Sequence, residues 1–281
     1  IVKSNIEDEP DIEIVNRYDS ANKLIYSGPY RNNVPVGIHR EYGNDGKVIN
    51  AFLYNDNGLL MSEGVVDEGG NYNGKWKDFY PDGKIQAEGT YQDNRRTGLW
   101  KFYSAAGKVE QTGNYNNGRP DGLWKWYYED GSILREEEYF LGQRDGSCIE
   151  YAENGEIIAQ GEYSDGERNE MWKFKTGNAT EEGRYIIGLK EGQWKTYYAN
   201  GTLKFRGNYV QGNPNGQHLY YYDDGKLKEE QHYKYGIRQK TWKKFNEEGS
   251  VTLTISYKDD VEVSINGVKI SLPESETKLI K

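Results

Sequence analysis

Cysteine is almost absent from this 281-residue sequence, which has one, Cys148, together with two methionines and three histidines. A single cysteine excludes an intrachain disulfide framework and a cysteine-based zinc site. The histidines, His39, His218 and His232, are too few and too widely separated for a cluster of three metal ligands. No apolar run approaches the ~20 residues of a membrane-spanning helix. We therefore expect no metal and no cofactor.

Positive charge is also in deficit, because 36 Lys and Arg face 45 Asp and Glu, for a net charge of −9. Nucleic-acid-binding domains usually carry a basic face, and anionic membrane surfaces repel an acidic chain. We expect neither nucleic acid nor strong membrane binding. The first residue is Ile1 rather than Met, which favours a removed leader and an exported or cell-envelope location over the cytoplasm; a trimmed chain is the alternative.

Glycine and aromatic residues are abundant, with 34 Gly, 25 Tyr and 7 Trp. Glycine is about 12% of the chain against an average near 7%. A sequence rich in Tyr, Trp and Gly suits thin β layers with half-buried aromatic rings better than a deep globular core.

Self-comparison shows a repeat of 24 residues, most regular from Gly98 through Gly122 to Gly146. Most copies share the residues at fixed offsets from this glycine position: a Trp, His or Cys two residues on, an aromatic residue five on, a Gly nine on and a Tyr seventeen on. Roughly ten hairpins cover residues 12–257, after an N-terminal extension at 1–11. A copy near Trp172 is shortened by two residues, and the segment Asn55–Asn73 is irregular.

The end of the chain, residues 258–281, is predicted to be a capping hairpin and tail. Val261, Val263 and Ile265 alternate before Asn266-Gly267, and Val268, Ile270 and Leu272 follow, with Pro273 ending the hairpin.

Asn-Gly or Asp-Gly pairs punctuate the copies and predict two-residue type I′ turns. Such a turn places Trp76 opposite Gly89 and Lys77 opposite Glu88. One face then carries Trp, Ile and Tyr, including Ile85, Val109 and Ile133, and is the predicted core. The other face carries Lys, Glu and a second aromatic row: Phe79, Tyr103, Tyr127, Tyr151, Tyr197, Tyr221 and Phe245. A one-residue slip, caused by a bulge at the turn, would exchange faces.

These features predict an all-β fold: an elongated, single-layer antiparallel sheet or a shallow solenoid of about ten tandem β-hairpins, with a groove along it.

The stretch from Gly98-Leu99-Trp100-Lys101 to Tyr115 resembles the MORN repeat, and more closely its bacterial variant, G-x-W-K-x-Y-Y-x-D-G-x-L-x-x-E-G-x-Y. The stretch from Gly122 to Gly131 is similar to the same pattern, and the resemblance extends over most of the chain. It implies a β array that acts as a scaffold or adaptor without catalytic residues. Proteins of this variant are often labelled as antitoxins of toxin–antitoxin pairs, which would imply protein binding.

Individual residues have plainer explanations than catalysis. His39, His218 and Cys148 occupy the Trp position of their copies and are expected to be core substitutions, whereas His232 is expected to be solvated on the charged face. The many carboxylates recur at turns and on charged rows, as the repeat would place them, and no Cys, His or carboxylate motif predicts a catalytic site.

The leading hypothesis is therefore a non-enzymatic scaffold that binds another protein in a groove lined by Tyr103, Trp126, Tyr127, Tyr151, Tyr197 and Tyr221. The alternative is a glycan or cell-wall polysaccharide binding module, because cell-wall repeats are also short aromatic hairpins. An enzyme would need a cleft at the irregular segment Asn55–Asn73. A second copy of the chain, forming a homodimer, could also cover an exposed apolar face.

Overall fold

The computed structural model describes residues 1–6 and 9–270. In these ranges the regular secondary-structure elements are all β-strands, joined by turns. Within these ranges no helix is long and apolar enough to cross a membrane. The chain forms two compact units, residues 1–143 and 144–281. In each unit the strands form an open antiparallel sheet of successive hairpins, which confirms the predicted fold class.

The strands of the first unit are β1 (Val2–Ile6), β2 (Glu9–Tyr18), β3 (Leu24–Arg31), β4 (Val34–Pro35), β5 (Gly37–Tyr42), β6 (Val48–Tyr54), β7 (Leu60–Val66), β8 (Tyr72–Phe79), β9 (Ile85–Gln92), β10 (Arg95–Tyr103), β11 (Val109–Asn116), β12 (Arg119–Tyr127) and β13 (Ile133–Phe140).

The strands of the second unit are β14 (Gln143–Tyr151), β15 (Ile157–Ser164), β16 (Glu167–Thr176), β17 (Ala179–Ile186), β18 (Leu189–Tyr197), β19 (Leu203–Val210), β20 (Asn213–Tyr221), β21 (Leu227–Lys234), β22 (Ile237–Arg238), β23 (Lys240–Phe245), β24 (Val251–Lys258), β25 (Val261–Ile265) and β26 (Val268–Lys269). The terminal hairpin β25–β26 pairs with β24; Leu272 and Pro273 lie outside the described residues.

The loops at the Asn-Gly and Asp-Gly pairs differ from the prediction. Between β8 and β9, the Tyr80 amide donates to the Lys84 carbonyl at 2.8 Å, and the Gly83 amide donates to the Tyr80 carbonyl at 2.8 Å. Gly83 has a φ of +84°, but Asp82 is not left-handed. The type I′ prediction is therefore wrong: these are three-residue loops in which only the glycine must be left-handed. The Asp82 carboxylate instead accepts a hydrogen bond from the Lys84 amide at 3.1 Å.

The predicted pairing register is nevertheless confirmed, with Trp76 opposite Gly89 and Lys77 opposite Glu88. The extra loop residue is compensated by a one-residue bulge next to the loop, after which Phe79 lies opposite Ile85. Since residues opposite each other project from the same face, the prediction that Ile85, Val109 and Ile133 share the face of the tryptophans is wrong. They share the face of Phe79, Tyr103 and Tyr127.

Two-residue turns occur at the other end of the hairpins, where both central residues have positive φ, as type I′ requires. Asn117 and Gly118 have φ values of +52° and +83°. The copy shortened by two residues closes through Gly177 and Asn178 without a bulge, so that Trp172 still lies opposite Gly183. Losing one loop residue and one bulge residue together leaves the register unchanged.

The irregular segment Asn55–Asn73 forms one more strand, β7, between two three-residue loops, at 56–58 and 68–70. Here the aromatic layer changes faces. His39 lies opposite Phe52, Phe52 lies opposite Glu63, and Glu63 lies opposite Lys77, so these four residues project from one face. Trp76 lies one position earlier in the sequence. The histidine in the Trp position of the first full copy therefore projects from the face opposite to Trp76.

The core consists of indole rings seated on glycines. Trp100, Trp172 and Trp194 are at most 2% exposed. A Cβ atom at Gly113 would lie 2.0 Å from the Trp124 ring, so only glycine fits beneath the indole. The Trp100 Nε1 donates to the Thr90 carbonyl at 3.1 Å, ten residues earlier, and the same bond recurs at the other positions: Trp124, Trp172, Trp194 and Trp242.

His39 and His218 reproduce this arrangement, which confirms that they are core substitutions. They are 1% and 2% exposed. His218 Nε2 lies 2.8 Å from the Asn208 carbonyl and His39 Nε2 lies 2.8 Å from the Pro29 carbonyl, in both cases ten residues earlier in the chain. Cys148 is likewise buried.

Candidate binding surface

Each sheet presents one face whose central row consists mainly of Lys and Glu, called here the Lys/Glu face. In the first unit its central row, in order of pairing, is Lys77, Glu88, Lys101, Thr112, Lys125 and Glu136. In the second unit the row is Gln160, Lys173, Glu182, Lys195, Arg206, Leu219, Glu230 and Lys243. The opposite face, called the Trp face, carries the buried indoles of Trp76, Trp100, Trp124, Trp172 and Trp194 and the partly buried indole of Trp242.

Neighbouring charges on the Lys/Glu face form ion pairs across the strands. The Lys125 Nζ is 2.7 Å from Glu136, the Lys243 Nζ is 3.5 Å from Glu230, and the Lys101 Nζ is 3.9 Å from Glu88. Such partly exposed pairs contribute little to stability, about 0.2–1 kcal/mol each. They give the surface an alternating electrostatic pattern.

Three of the predicted tyrosines are bonded to this row. Tyr103 Oη donates to Glu88 at 2.6 Å and Tyr197 Oη donates to Glu182 at 2.9 Å, while Tyr127 Oη lies 3.1 Å from Thr112 Oγ1. Burial, reinforced by the bond to Glu88, raises the pKa of Tyr103 to about 12. These rings are thus held in place and half-buried at the margin of the Lys/Glu face. Tyr151 and Tyr221 take the equivalent positions opposite Ile157 and Leu227.

Trp126 is not part of this tyrosine row. It lies two residues from Trp124 on the Trp face, with 6.2 Å between ring centroids, and the Arg135 guanidinium is 4.3 Å from its ring centroid. The prediction of a single groove lined by all six aromatics is wrong at Trp126, because alternate residues of a strand project to opposite faces.

A recess of about 580 Å³ lies on the Lys/Glu face of the first unit, across strands β6 to β10. Its charged lining comprises Glu63, Lys75, Lys77, Glu88 and Lys101, and its apolar lining includes Ile49, Val65 and Leu99. It includes part of the irregular segment and lies where the aromatic layer changes faces.

A second recess, of about 670 Å³, lies in the second unit beside the shortened hairpin β16–β17. Residues of two full-length loops, Glu156 and Ala199, border it on either side of Asn178. The shortened loop leaves this space between its longer neighbours. Tyr197 is the predicted binding residue that lines it.

The sequence analysis did not identify a row of basic side chains that cover several aromatic rings of the Trp face. Arg96 lies 4.4 Å from the Trp100 ring centroid and donates to Tyr115 Oη at 3.2 Å. Arg168 and Lys190 lie over Trp172 and Trp194 in the same way, at 4.8 and 3.9 Å. A basic residue four positions before the Trp was the available signal. These cation–π contacts seal the outer side of the indoles.

The potential metal ligands of the described residues, His, Cys, Asp and Glu, do not form a cluster. Among the described residues, no group of three or more His, Cys, Asp or Glu side chains is arranged to hold a metal ion. His232 was predicted to be solvated, but its side chain is only 21% exposed and its Nε2 lies 3.1 Å from Glu230 Oε1.

Comparison with known proteins identifies the repeat. The family described as MORN repeat variant matches six segments, at residues 72–93, 96–117, 120–140, 144–165, 190–211 and 214–235. The chain therefore belongs to the MORN repeat proteins, a membership consistent with a binding scaffold. The matched segments carry nothing that supports the antitoxin label.

No curated protein matches the chain. Among solved structures, the Tc holotoxin pore of Photorhabdus luminescens matches at 11% sequence identity and a TM-score of 0.20, over 89% of this chain and 15% of that one. This chain thus spans a small part of that protein, and so low a TM-score supports no inference about function.

Proposed function

We propose that this MORN repeat protein is a non-enzymatic scaffold that binds another protein through its Lys/Glu face. The observation that carries the proposal is the difference between the two faces. On the Trp face, Trp100, Trp172 and Trp194 are buried under cations, whereas the Lys/Glu face presents the charged row, the tyrosine margin and the recess of the first unit.

The chemistry of this face suits a protein partner. Alternating charges at regular spacing favour a partner with complementary charges, and they govern the association rate and specificity more than the affinity. Half-buried tyrosines add contact area at low cost in conformational entropy. Glycan binding has less support, because a sugar ring needs an accessible aromatic face, and Trp100 and Trp194 are 0% exposed.

The test is capture from extracts of the source cells on the immobilised protein, with bound proteins and bound polysaccharide both identified. One face variant per unit is compared with the wild type: Lys77→Gln/Lys101→Gln in the first and Lys173→Gln/Lys195→Gln in the second. The control, Lys226→Gln/Lys244→Gln, removes the same charge from two exposed positions off the Lys/Glu face, the loop after strand β20 and the Trp-face side of strand β23.

We expect a stoichiometric protein partner that the control retains and at least one face variant loses. Equal capture by all four proteins would reject the Lys/Glu face as the binding surface. Retention of polysaccharide without a protein would replace the proposal with glycan binding.

A further inference from the structure

The recess of the first unit combines a surplus of positive charge with two separated apolar side chains. Lys75, Lys77 and Lys101 line it, against two carboxylates, Glu63 and Glu88. On a chain with a net charge of −9, this is a local reversal of sign.

Both carboxylates are already engaged within the unit. Glu88 accepts the Tyr103 hydroxyl at 2.6 Å and lies 3.9 Å from Lys101 Nζ. Glu63 accepts a hydrogen bond from Asn50 Nδ2 at 3.3 Å. Lys75 and Lys77 are exposed, and in the described part of the chain neither has a carboxylate oxygen within 4.0 Å. Their charges are thus available to a ligand.

The apolar residues stand on the outermost strands of the recess. Ile49, on β6, is 59% exposed, and Leu99, on β10, is 53% exposed. Four strand spacings of ~4.8 Å separate these strands, which gives roughly 19 Å. An extended peptide covers that distance in about six residue steps of ~3.3 Å, which places its first and seventh side chains at the two ends and on the same side of the peptide.

We propose that this recess binds an extended acidic peptide segment of a partner protein, about seven residues long, with an apolar side chain at each end. The terminal side chains contact Ile49 and Leu99, and the central carboxylates contact Lys75 and Lys77. The volume of about 580 Å³ lies within the range of ligand sites. This inference rests on the proposed function and specifies the partner chemistry at one part of the Lys/Glu face.

The test uses a fluorescein-labelled peptide of sequence Leu-Glu-Asp-Glu-Asp-Glu-Leu and its amide counterpart Leu-Gln-Asn-Gln-Asn-Gln-Leu, with binding followed by fluorescence anisotropy. We expect the acidic peptide to bind with an affinity that falls as salt is raised. The amide peptide should bind about tenfold more weakly or not at all.

The protein variants separate charge from apolar contact. Lys75→Gln/Lys77→Gln is expected to weaken binding about tenfold, and Leu99→Ser is expected to weaken it severalfold. The control Lys226→Gln/Lys244→Gln should bind as the wild type does. All four residues of the two double variants are exposed, and unchanged circular dichroism and urea midpoints establish that the sheet is intact.

Several outcomes would overturn the inference. They are the absence of binding, equal binding of the two peptides, or acidic binding that Lys75→Gln/Lys77→Gln leaves unchanged. A wild-type dimer in sedimentation velocity that Leu99→Ser dissociates would assign the recess to a second copy. Adsorption to phosphatidylserine-containing vesicles that depends on Lys75 and Lys77, without peptide binding, would assign it to a membrane surface.

The two proposals fail separately. If the peptide does not bind but the Lys173→Gln/Lys195→Gln variant loses the partner captured from extract, the scaffold proposal stands and only the peptide inference fails. If the peptide binds but neither face variant affects capture, the scaffold proposal fails.

Discussion

Gly113 lies directly beneath the indole of Trp124, so close that a Cβ atom on the glycine would be 2.0 Å from Trp124 Cδ2 and 2.3 Å from Cε2. Backbone and ring are both fixed here, since the Trp124 Nε1 is bonded to the Asn114 carbonyl at 3.1 Å. The relationship repeats at Gly89, Gly161 and Gly183. It explains why a glycine, rather than any other small residue, recurs at this position.

Replacing Gly113 with alanine should destabilise the first unit by about 1–3 kcal/mol, because the methyl group forces the ring or the strand to shift. Urea denaturation followed by tryptophan fluorescence measures the change. Asn114→Ala, at the next and exposed position, is the control and should change stability by less than about 0.5 kcal/mol. Equal effects of the two substitutions would contradict the close packing.

The type I′ turns differ in backbone strain. Ile187 has a φ of +48° and is 75% exposed, whereas Asn117 occupies the same turn position with a φ of +52°. A β-branched residue is strained in the left-handed region, which asparagine tolerates. Ile187→Asn should therefore stabilise the second unit by about 1 kcal/mol, and Asn117→Ile should destabilise the first by a similar amount. Denaturant midpoints of both variants test this, and changes of the same sign would refute it.

Tyrosine hydroxyls connect successive copies near the loops. Tyr198 Oη donates to the Tyr221 carbonyl at 2.7 Å, and Tyr222 Oη donates to the Phe245 carbonyl at 2.7 Å. Tyr198→Phe should lower stability by about 1 kcal/mol, the usual net contribution of one hydrogen bond. Tyr235→Phe is the matched control, because the Tyr235 side chain is 62% exposed and has no hydrogen bond in the described structure. Thermal unfolding of both variants gives the comparison.

The buried histidines predict a pH dependence of stability. Burial lowers the pKa of His39 and of His218 from the ordinary value of 6.5. The unfolded chain therefore binds more protons below pH 6.5, so stability is fully present above that pH and falls as the pH drops towards the folded-state pKa values. Urea midpoints between pH 7.5 and 5.5 should decline.

A variant tests the origin of that decline. His218→Gln keeps an Nε2 donor that can reach the Asn208 carbonyl but removes the titratable ring. The decline of the urea midpoint of the second unit between pH 7.5 and 5.5 should become shallower in this variant. An unchanged slope would assign the pH dependence to other groups.

The sequence predicted the strands, the pairing of Trp76 with Gly89 and the buried histidines, because glycine and tryptophan spacing constrains the register directly. The prediction was wrong at the loops, where two different loop structures use the same number of residues between the paired strands. A two-residue loop without a bulge and a three-residue loop with a bulge both place Lys77 opposite Glu88, but only the second moves Ile85 to the face of Phe79. Loop type at an Asp-Gly pair depends on backbone twist, which residue spacing does not report.

The candidate surface was harder to predict than the fold. Tyr103, Tyr127 and Tyr197 lie at the margin of the Lys/Glu face, as the alternation indicated. Trp126 could have been excluded from their row by sequence alone, because neighbouring residues of a strand project to opposite faces. The recess of the first unit depends on Ile49, Lys75 and Leu99, which are close only through the pairing of five strands. Its charge surplus depends on which carboxylates are already bonded, and that is a property of the folded side chains.

The shortened hairpin shows how this architecture can change in length. Trp172 and Trp194 are 22 residues apart instead of 24, and both still project from the same face. His39 and Trp76 are 37 residues apart, and they project from opposite faces. In this chain the even step keeps the aromatic layer on one face of the sheet, whereas the odd step transfers it to the other face. The parity of the spacing between Trp positions therefore decides which side of the sheet remains open to a partner.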